Sequence, residues 1–134
     1  MKNRIFLGGT CNQTTWRGEM IPHLDPAIEY FNPVVEDWTP ECQAQEIDEK
    51  ENKCNIHYYC LTSNMAGVFS VAEVVDSAHN NSVRTILHVM PEGFDKKMLK
   101  SLDATIDLVN SRGGIAFSDD DLNRSVQVIN SAFA

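Results

Sequence analysis

Short apolar runs alternate with amphipathic or charged segments along the whole of this 134-residue chain. The apolar runs occupy residues 5–7, 28–31, 56–61, 83–89 and 115–117. Their length, and the Gly, Asn, Ser or Pro residues beside them, predict strands that are buried on both faces of a sheet. Helical patterns fill the stretches after each run, at residues 14–24, 41–53, 69–79, 95–111 and 119–133.

This regular β-α order predicts a parallel sheet with helices on both faces. Five strands in a chain of this length favour a flavodoxin-like three-layer α/β/α sandwich with strand order 2-1-3-4-5, formed as a single domain over residues 1–134. Ligands of such sheets bind beyond the carboxyl ends of the strands, near the switch point between strands 1 and 3. The loops at residues 8–13, 32–40 and 62–70 are therefore expected to form the ligand site.

Charge and composition exclude several classes of partner. Eleven basic and nineteen acidic residues give 11 − 19 = −8, which disfavours a nucleic acid polymer or an anionic membrane as a partner. The chain contains no apolar run of about 18 residues and no signal-peptide pattern at its N-terminus. Its four cysteines form no C-x-x-C pair. We expect a cytoplasmic protein with reduced thiols.

The loop after the first strand begins with two glycines. Gly8 and Gly9 would let a ligand approach the backbone, and Asn12 precedes a helix whose free N–H groups could face that ligand. A tight turn is the competing explanation for the glycines. The spacing matches neither a dinucleotide-binding nor a P-loop motif. Cys11 and Arg17 have the C-x₅-R spacing of cysteine phosphatases, but no glycine-rich cradle lies between them, so a Cys11 nucleophile is disfavoured.

The second loop is long and places an aromatic side chain beside carboxylates. Trp38 could stack on a planar base or a sugar while Asp37 accepts hydrogen bonds from it. Packing of Trp38 onto the body of the protein explains the pattern almost equally well.

The third loop leads into a helix that carries a carboxylate close to its start. Ser70 and Glu73 have the S-x-x-E spacing of a capping box, which is a structural device. Glu73 is also placed where a partly desolvated nucleophile or acid would lie, beside the predicted cleft. On spacing alone the capping box is favoured. The four histidines show no metal-ligand spacing, so we predict no metal site.

Several segments of the first 80 residues agree with the pattern of one protein family. They are IFLGG at 5–9 followed by Trp16-Arg17, FNPVVEDW at 31–38, CNIHYYCLT at 54–62 and GVFSVAE at 67–73. Together they resemble the nucleoside 2-deoxyribosyltransferase-like proteins, and the FNP-x-x-x-DW element is the most specific part of the resemblance.

The resemblance implies exchange or hydrolysis of an N-glycosidic bond in a nucleoside or nucleotide, with no metal and no cofactor. It implies that Glu73 is the nucleophile that forms a covalent glycosyl-enzyme. An acidic residue late in the second helix should serve the sugar and base site, and here Glu46 is chosen over Asp48. Asp37 is expected to help orient the base or sugar.

The substrate-binding residues expected from the loops and the resemblance are Gly8, Gly9, Asn12, Trp38, Gly67 and Ser70. Two departures from the family pattern stand out: Asn55 replaces an aspartate, and no acid precedes Gly67. They motivate an alternative function, a nucleotide or nucleotide-sugar sensing module without turnover. The resemblance also implies a homo-oligomer, for which the apolar patterns at 95–111 and 129–133 offer surfaces.

Overall fold

The computed structural model describes residues 2–11 and 14–134 and contains one five-stranded parallel sheet. The strands are β1 (Arg4–Gly9), β2 (Glu29–Phe31), β3 (Ile56–Leu61), β4 (Arg84–Val89) and β5 (Ile115–Ser118). Their order is β2-β1-β3-β4-β5, so the predicted flavodoxin-like arrangement is confirmed. The chain places β2 on one side of β1 and the later strands on the other side, and this switch opens a crevice at the carboxyl ends of β1 and β3.

Within residues 2–11 and 14–134, five α-helices connect and follow the strands. They are α1 (Trp16–Met20), α2 (Pro40–Asp48), α3 (Phe69–Ala78), α4 (Lys96–Ser111) and α5 (Asn123–Phe133). A 3₁₀ turn (Ile21–His23) continues α1, and a π-helical turn (Glu49–Lys53) continues α2. Among the described residues, no helix is both long and apolar enough to cross a bilayer.

The sheet separates two apolar cores, because consecutive strand residues point to opposite faces. Tyr58 belongs to the core that α1 and α5 cover, with Trp16 and Ile129. The neighbouring Tyr59 belongs to the core under α3 and α4, with Val74 and Leu102. All side chains of α2 are at least partly exposed, as its polar sequence predicted.

Element ends differ from the sequence prediction where local chemistry intervenes. Pro22 shortens the first helix to five residues and leaves a 3₁₀ turn, as its missing N–H predicts. The last helix begins at Asn123 instead of residue 119, because the carboxylates of Asp119 and Asp121 accept bonds from nearby backbone N–H groups and form turns. The second predicted helix changes to π geometry at Glu49.

Candidate active site

A cavity of about 370 Å³ lies where β1, the loop after β2, α2 and the start of α3 meet. This size suits a small-molecule ligand. Its lining residues are Phe6, Gly8, Gly9, Cys11, Arg17, Pro33, Val34, Val35, Trp38, Glu46, Phe69, Ser70 and Glu73. All three predicted loops contribute to the rim or floor of the crevice, although the third does so only through its last residues.

The two glycines form the floor of the cavity, and packing requires both. Gly9 has a φ of +110°, and a Cβ there would lie 2.1 Å from the carbonyl oxygen of Cys60 on β3. A Cβ on Gly8 would lie 2.7 Å from the ring of Tyr59. The glycines are therefore needed for the close pairing of β1 with β3, and they also leave the backbone open to a ligand.

Glu73 faces the cavity and forms an ion pair with a residue that the sequence did not single out. Its Oε2 accepts a 2.8 Å hydrogen bond from Nζ of Lys50, and the two side chains are 13% and 19% exposed. The predicted capping box is wrong. Helix α3 starts at Phe69 after Val68, so Ser70 lies inside its first turn, and no side chain among the described residues caps this end.

Glu46 lines the same cavity from α2. Burial raises the pKa of its carboxyl group, and the negative charge of Glu73 raises it further, while Lys50 and Arg17 partly oppose the shift. Glu46 therefore holds its proton to a higher pH than an ordinary glutamate. Asp48, the other candidate for this position, instead bonds Asn52 and Lys53 at distances of 2.8 and 3.3 Å.

Arg17 is a second cation of the site, and sequence reasoning gave it no role. It is only 5% exposed and donates to the carbonyl oxygens of Leu7 at 3.0 Å and Thr10 at 2.9 Å. Among the ion pairs of the described residues, none includes Arg17. Burial lowers the pKa of its guanidinium group. Its bonds fix the backbone that follows β1 and place a positive charge in the cavity wall.

Cys11 lies beside Arg17, with its Sγ 3.6 Å from the guanidinium. Its Sγ also lies 3.5 Å from the carbonyl oxygen of Gly9. Cys11 thus contacts the backbone and the side chain that form this part of the cavity wall.

The loop after β2 supplies the apolar mouth of the cavity. Trp38 lines it and is 60% exposed, so its ring is not packed onto the body of the protein. Phe69, at the start of α3, is 74% exposed and lines the same mouth. One wide apolar surface is thus open to a planar ligand.

Two of the described residues predicted for the site are not in this lining, and a third predicted residue lies outside the described part of the chain. Asp37 is not one of the described residues that line the cavity, and its side chain is exposed outside the cavity. Gly67 lines a smaller neighbouring cavity of about 190 Å³, with Met65 and Ala66. Asn12 falls outside the described residues, so its predicted role stays a prediction.

The charges of the site differ from the sequence expectation. The acidic residues expected there from the sequence were Asp37, Glu46 and Glu73, which together would make the site negative. The structure leaves Asp37 outside, adds Arg17 to the cavity lining and pairs Glu73 with Lys50. The four-residue spacing of Glu46 and Lys50 was a readable signal, because it puts both on one face of a helix.

Comparison with known proteins places the chain in one family. A family model described as nucleoside 2-deoxyribosyltransferase like matches residues 2–92, more than half of the chain and every segment that lines the cavity. Comparisons with curated proteins and with solved structures found no match. The family match supports a nucleoside-related glycosyl transfer role at the level of the family. With its 2-1-3-4-5 sheet and this match, the chain belongs to the nucleoside 2-deoxyribosyltransferase-like family.

Proposed function

We propose that this protein exchanges or hydrolyses the N-glycosidic bond of (deoxy)nucleosides or nucleotides through a covalent glycosyl-enzyme on Glu73. One observation carries the proposal. Two carboxyl groups face one cavity in opposite electrostatic surroundings, since Glu73 is paired with a cation and Glu46 has a raised pKa. A site that separates two carboxyl groups in this way suits one as a nucleophile and the other as an acid.

In the first step, a carboxylate oxygen of Glu73 attacks the anomeric carbon of the sugar. The bond between that carbon and the base nitrogen breaks, and its electron pair leaves with the base. Glu46 gives its proton to the departing base, which leaves neutral. The products of this step are a glycosyl ester on Glu73 and an ionised Glu46.

In the second step, water or a second base attacks the anomeric carbon. The ester bond breaks, its electron pair returns to Glu73, and Glu46 accepts the proton of the attacking group. Esterification of Glu73 removes the negative charge that raises the pKa of Glu46, while the positive charge of Lys50 remains nearby. The pKa of Glu46 therefore falls in the intermediate, as the change from acid to base requires.

The proposal predicts a specific pH effect at Glu46. Because Glu46 must be protonated to assist the leaving base, the first step slows as pH rises through its raised pKa. Glu46→Gln should lower kcat/KM about 10²- to 10⁴-fold and remove this descending limb of the pH profile. Glu41→Gln is the matched control, since Glu41 is exposed in the first turn of the same helix. An unchanged profile in Glu46→Gln would rule out this role.

Trp38 is proposed to stack on the nucleobase at the mouth of the cavity. Trp38→Ala should weaken nucleoside binding by about 1–3 kcal/mol, the usual contribution of one base stacked on an aromatic ring. Tyr30→Ala is the control, because Tyr30 is 44% exposed on β2 and outside the cavity lining. Isothermal titration calorimetry measures both variants, and equal losses would contradict the assignment. We assign Asp37 no step, because it lies outside the cavity lining.

A second candidate is the sensing module that binds a nucleotide without turnover. The residues that precede α3, where an acid was expected, form a small cavity lined in part by Met65, Ala66 and Gly67. This neutral lining favours binding over sugar activation at that position. Calorimetry that detects tight binding of an intact nucleotide, with no product after hours, would favour the module over the enzyme.

Self-association remains part of the proposal. On the two expected surfaces, Leu102 and Val109 of α4 and Ile129 of α5 are buried against the sheet, whereas Met98 and Leu108 of α4 are 38% and 36% exposed. Larger exposed apolar side chains surround the cavity mouth, where Trp38 is 60% and Phe69 is 74% exposed. A second copy that covers this rim would bury them, and sedimentation velocity measures such an assembly.

A further inference from the structure

Lys50, the cation paired with Glu73, lies in a π-helical turn whose position is held from two sides. The π turn (Glu49–Lys53) follows α2 directly. Turns of this kind are rare in proteins, and those that occur are often found at functional sites. Their backbone geometry is unfavourable, so contacts with neighbouring residues must stabilise it. What fixes the backbone of this turn therefore determines where the Lys50 ammonium group lies.

On one side, the residue before Lys50 is tied to the first strand. Glu49 is 3% exposed, and its carboxylate accepts bonds from Nε and Nη2 of Arg4, each at 2.8 Å. This paired geometry is the strong form of an arginine–carboxylate contact. It holds the start of the turn against β1.

On the other side, a chain of three buried side chains ends on the backbone of Lys50 itself. The Nε2 of His57 lies 2.7 Å from the Lys50 carbonyl oxygen, and Nδ1 lies 2.8 Å from Oγ of Ser77. The hydroxyl of Tyr59 lies 2.8 Å from the same Oγ. His57, Ser77 and Tyr59 are 3%, 2% and 0% exposed.

The directions of these bonds follow from the carbonyl end. A carbonyl oxygen can only accept, so Nε2 of His57 carries the proton and donates to it. Burial lowers the pKa of His57, which favours the neutral ring and leaves Nδ1 as an acceptor. Ser77 then donates to Nδ1 and accepts from Tyr59. Each polar group of this chain has one defined role, which makes the arrangement rigid.

We infer that His57 is a positioning residue for the nucleophile, because it holds the Lys50 backbone where the ammonium group meets Glu73. The catalytic role of His57 rests on the proposed function, whereas its role in the Lys50–Glu73 contact does not. Tyr59 and Ser77 hold the imidazole of His57, and the imidazole holds the backbone of the π turn.

The opposite face of the sheet contains an equivalent chain that serves as an internal control. There, His88 contacts Oγ of Ser125 with Nδ1 and lies 2.6 Å from the Asp119 carbonyl oxygen with Nε2. The Tyr58 hydroxyl donates to the same Ser125 at 2.8 Å. His88 is 0% exposed. A substitution at His88 removes the same kinds of buried hydrogen bond, but none of the hydrogen bonds of His88 reaches Lys50.

The experiment compares His57→Asn, His57→Gln and His88→Asn with wild type. Asparagine is too short to replace Nε2, whereas the glutamine amide can place a donor near that position. We expect kcat for nucleoside cleavage to fall about tenfold or more in His57→Asn, since displacement of a catalytic group by about 1 Å costs up to 10²-fold. The kcat of His57→Gln should be close to that of wild type, and KM should change little in both His57 variants. His88→Asn should leave kcat near the wild-type value.

A second readout does not depend on activity. The side-chain carboxyl ¹³C resonance of Glu73 at pH 7, assigned by its loss in Glu73→Gln, reports the contact with Lys50. We expect it to move in the same direction in Lys50→Met and His57→Asn and to stay in place in His88→Asn. A resonance that moves in Lys50→Met but not in His57→Asn overturns the inference, as does an equal movement in His88→Asn.

The two readouts separate the inference from the proposed function. If wild type has no glycosidic activity while the resonance moves as expected, the function fails and the positioning role stands. If His57→Asn does not fold, Ser77→Ala takes its place, because it removes the donor to Nδ1 and leaves the imidazole intact. An unmoved resonance in Ser77→Ala then overturns the inference.

Discussion

Glu73→Gln is expected to lower glycosidic turnover by more than about 10³-fold, the scale seen when an enzyme loses its nucleophile. Glutamine keeps the size of the side chain and can still contact Lys50, but its amide cannot form the glycosyl ester. The assay incubates the protein with a 2′-deoxynucleoside and a second free base and separates the products by liquid chromatography. Intact-protein mass spectrometry of wild type should show the added glycosyl group, and Glu73→Gln should not.

The control for this variant is Glu92→Gln, an exposed glutamate in the segment between β4 and α4. It makes the same chemical change away from the cavity, so its turnover should equal that of wild type. Equal residual activity in wild type and Glu73→Gln would remove Glu73 from the mechanism. Loss of activity in both glutamine variants would show that the assay reports stability instead of chemistry.

Gly9→Ala is expected to lower the free energy of unfolding by more than about 3 kcal/mol, near the upper end for single substitutions. Its Cβ would lie 2.1 Å from the Cys60 carbonyl oxygen, and a φ of +110° strains any residue with a side chain. The clash is with backbone on the adjoining strand, so relief requires β1 and β3 to separate. Urea denaturation followed by far-UV circular dichroism measures the loss.

Gly67→Ala is the matched substitution for that experiment. An added Cβ at Gly67 meets no atom within 4 Å, and the same glycine-to-alanine change reduces the freedom of the unfolded chain. Its free energy of unfolding should therefore stay within about 0.5 kcal/mol of wild type. Similar losses in both variants would mean that the contact with Cys60 is not what makes Gly9 necessary.

The sheet was predictable because its strands are short apolar runs in a regular order. A run such as residues 56–61 can be buried only in the middle of a sheet, and alternation with helices leaves few chain paths. The loops that form the cavity then follow from topology, since parallel strands end at one edge. Trp38 and Glu73 were placed near one another on this basis, whereas Glu46 was chosen from the family resemblance.

The sequence did not predict correctly where two helices begin, because local hydrogen bonds decide the ends of these elements. The S-x-x-E spacing of Ser70 and Glu73 is compatible with a capping box, but the helix starts two residues too early for it. The acidic residues at 119–121 form turns before α5 instead of its first turn. Spacing alone cannot decide such cases, because each depends on which local hydrogen bonds form at the end of the helix.

Periodicity and spacing in the chain were sufficient to specify the fold, the crevice at the ends of β1 and β3, and a carboxylate near the start of α3. Only the tertiary structure brought Lys50 to Glu73, put Arg17 in the wall and left Asp37 outside. Apolar periodicity indicates which face of an element is buried, because that pattern depends only on residues close together in the sequence. The partner of a charged group depends on where distant backbone segments end, here on a π turn held by His57 and Arg4.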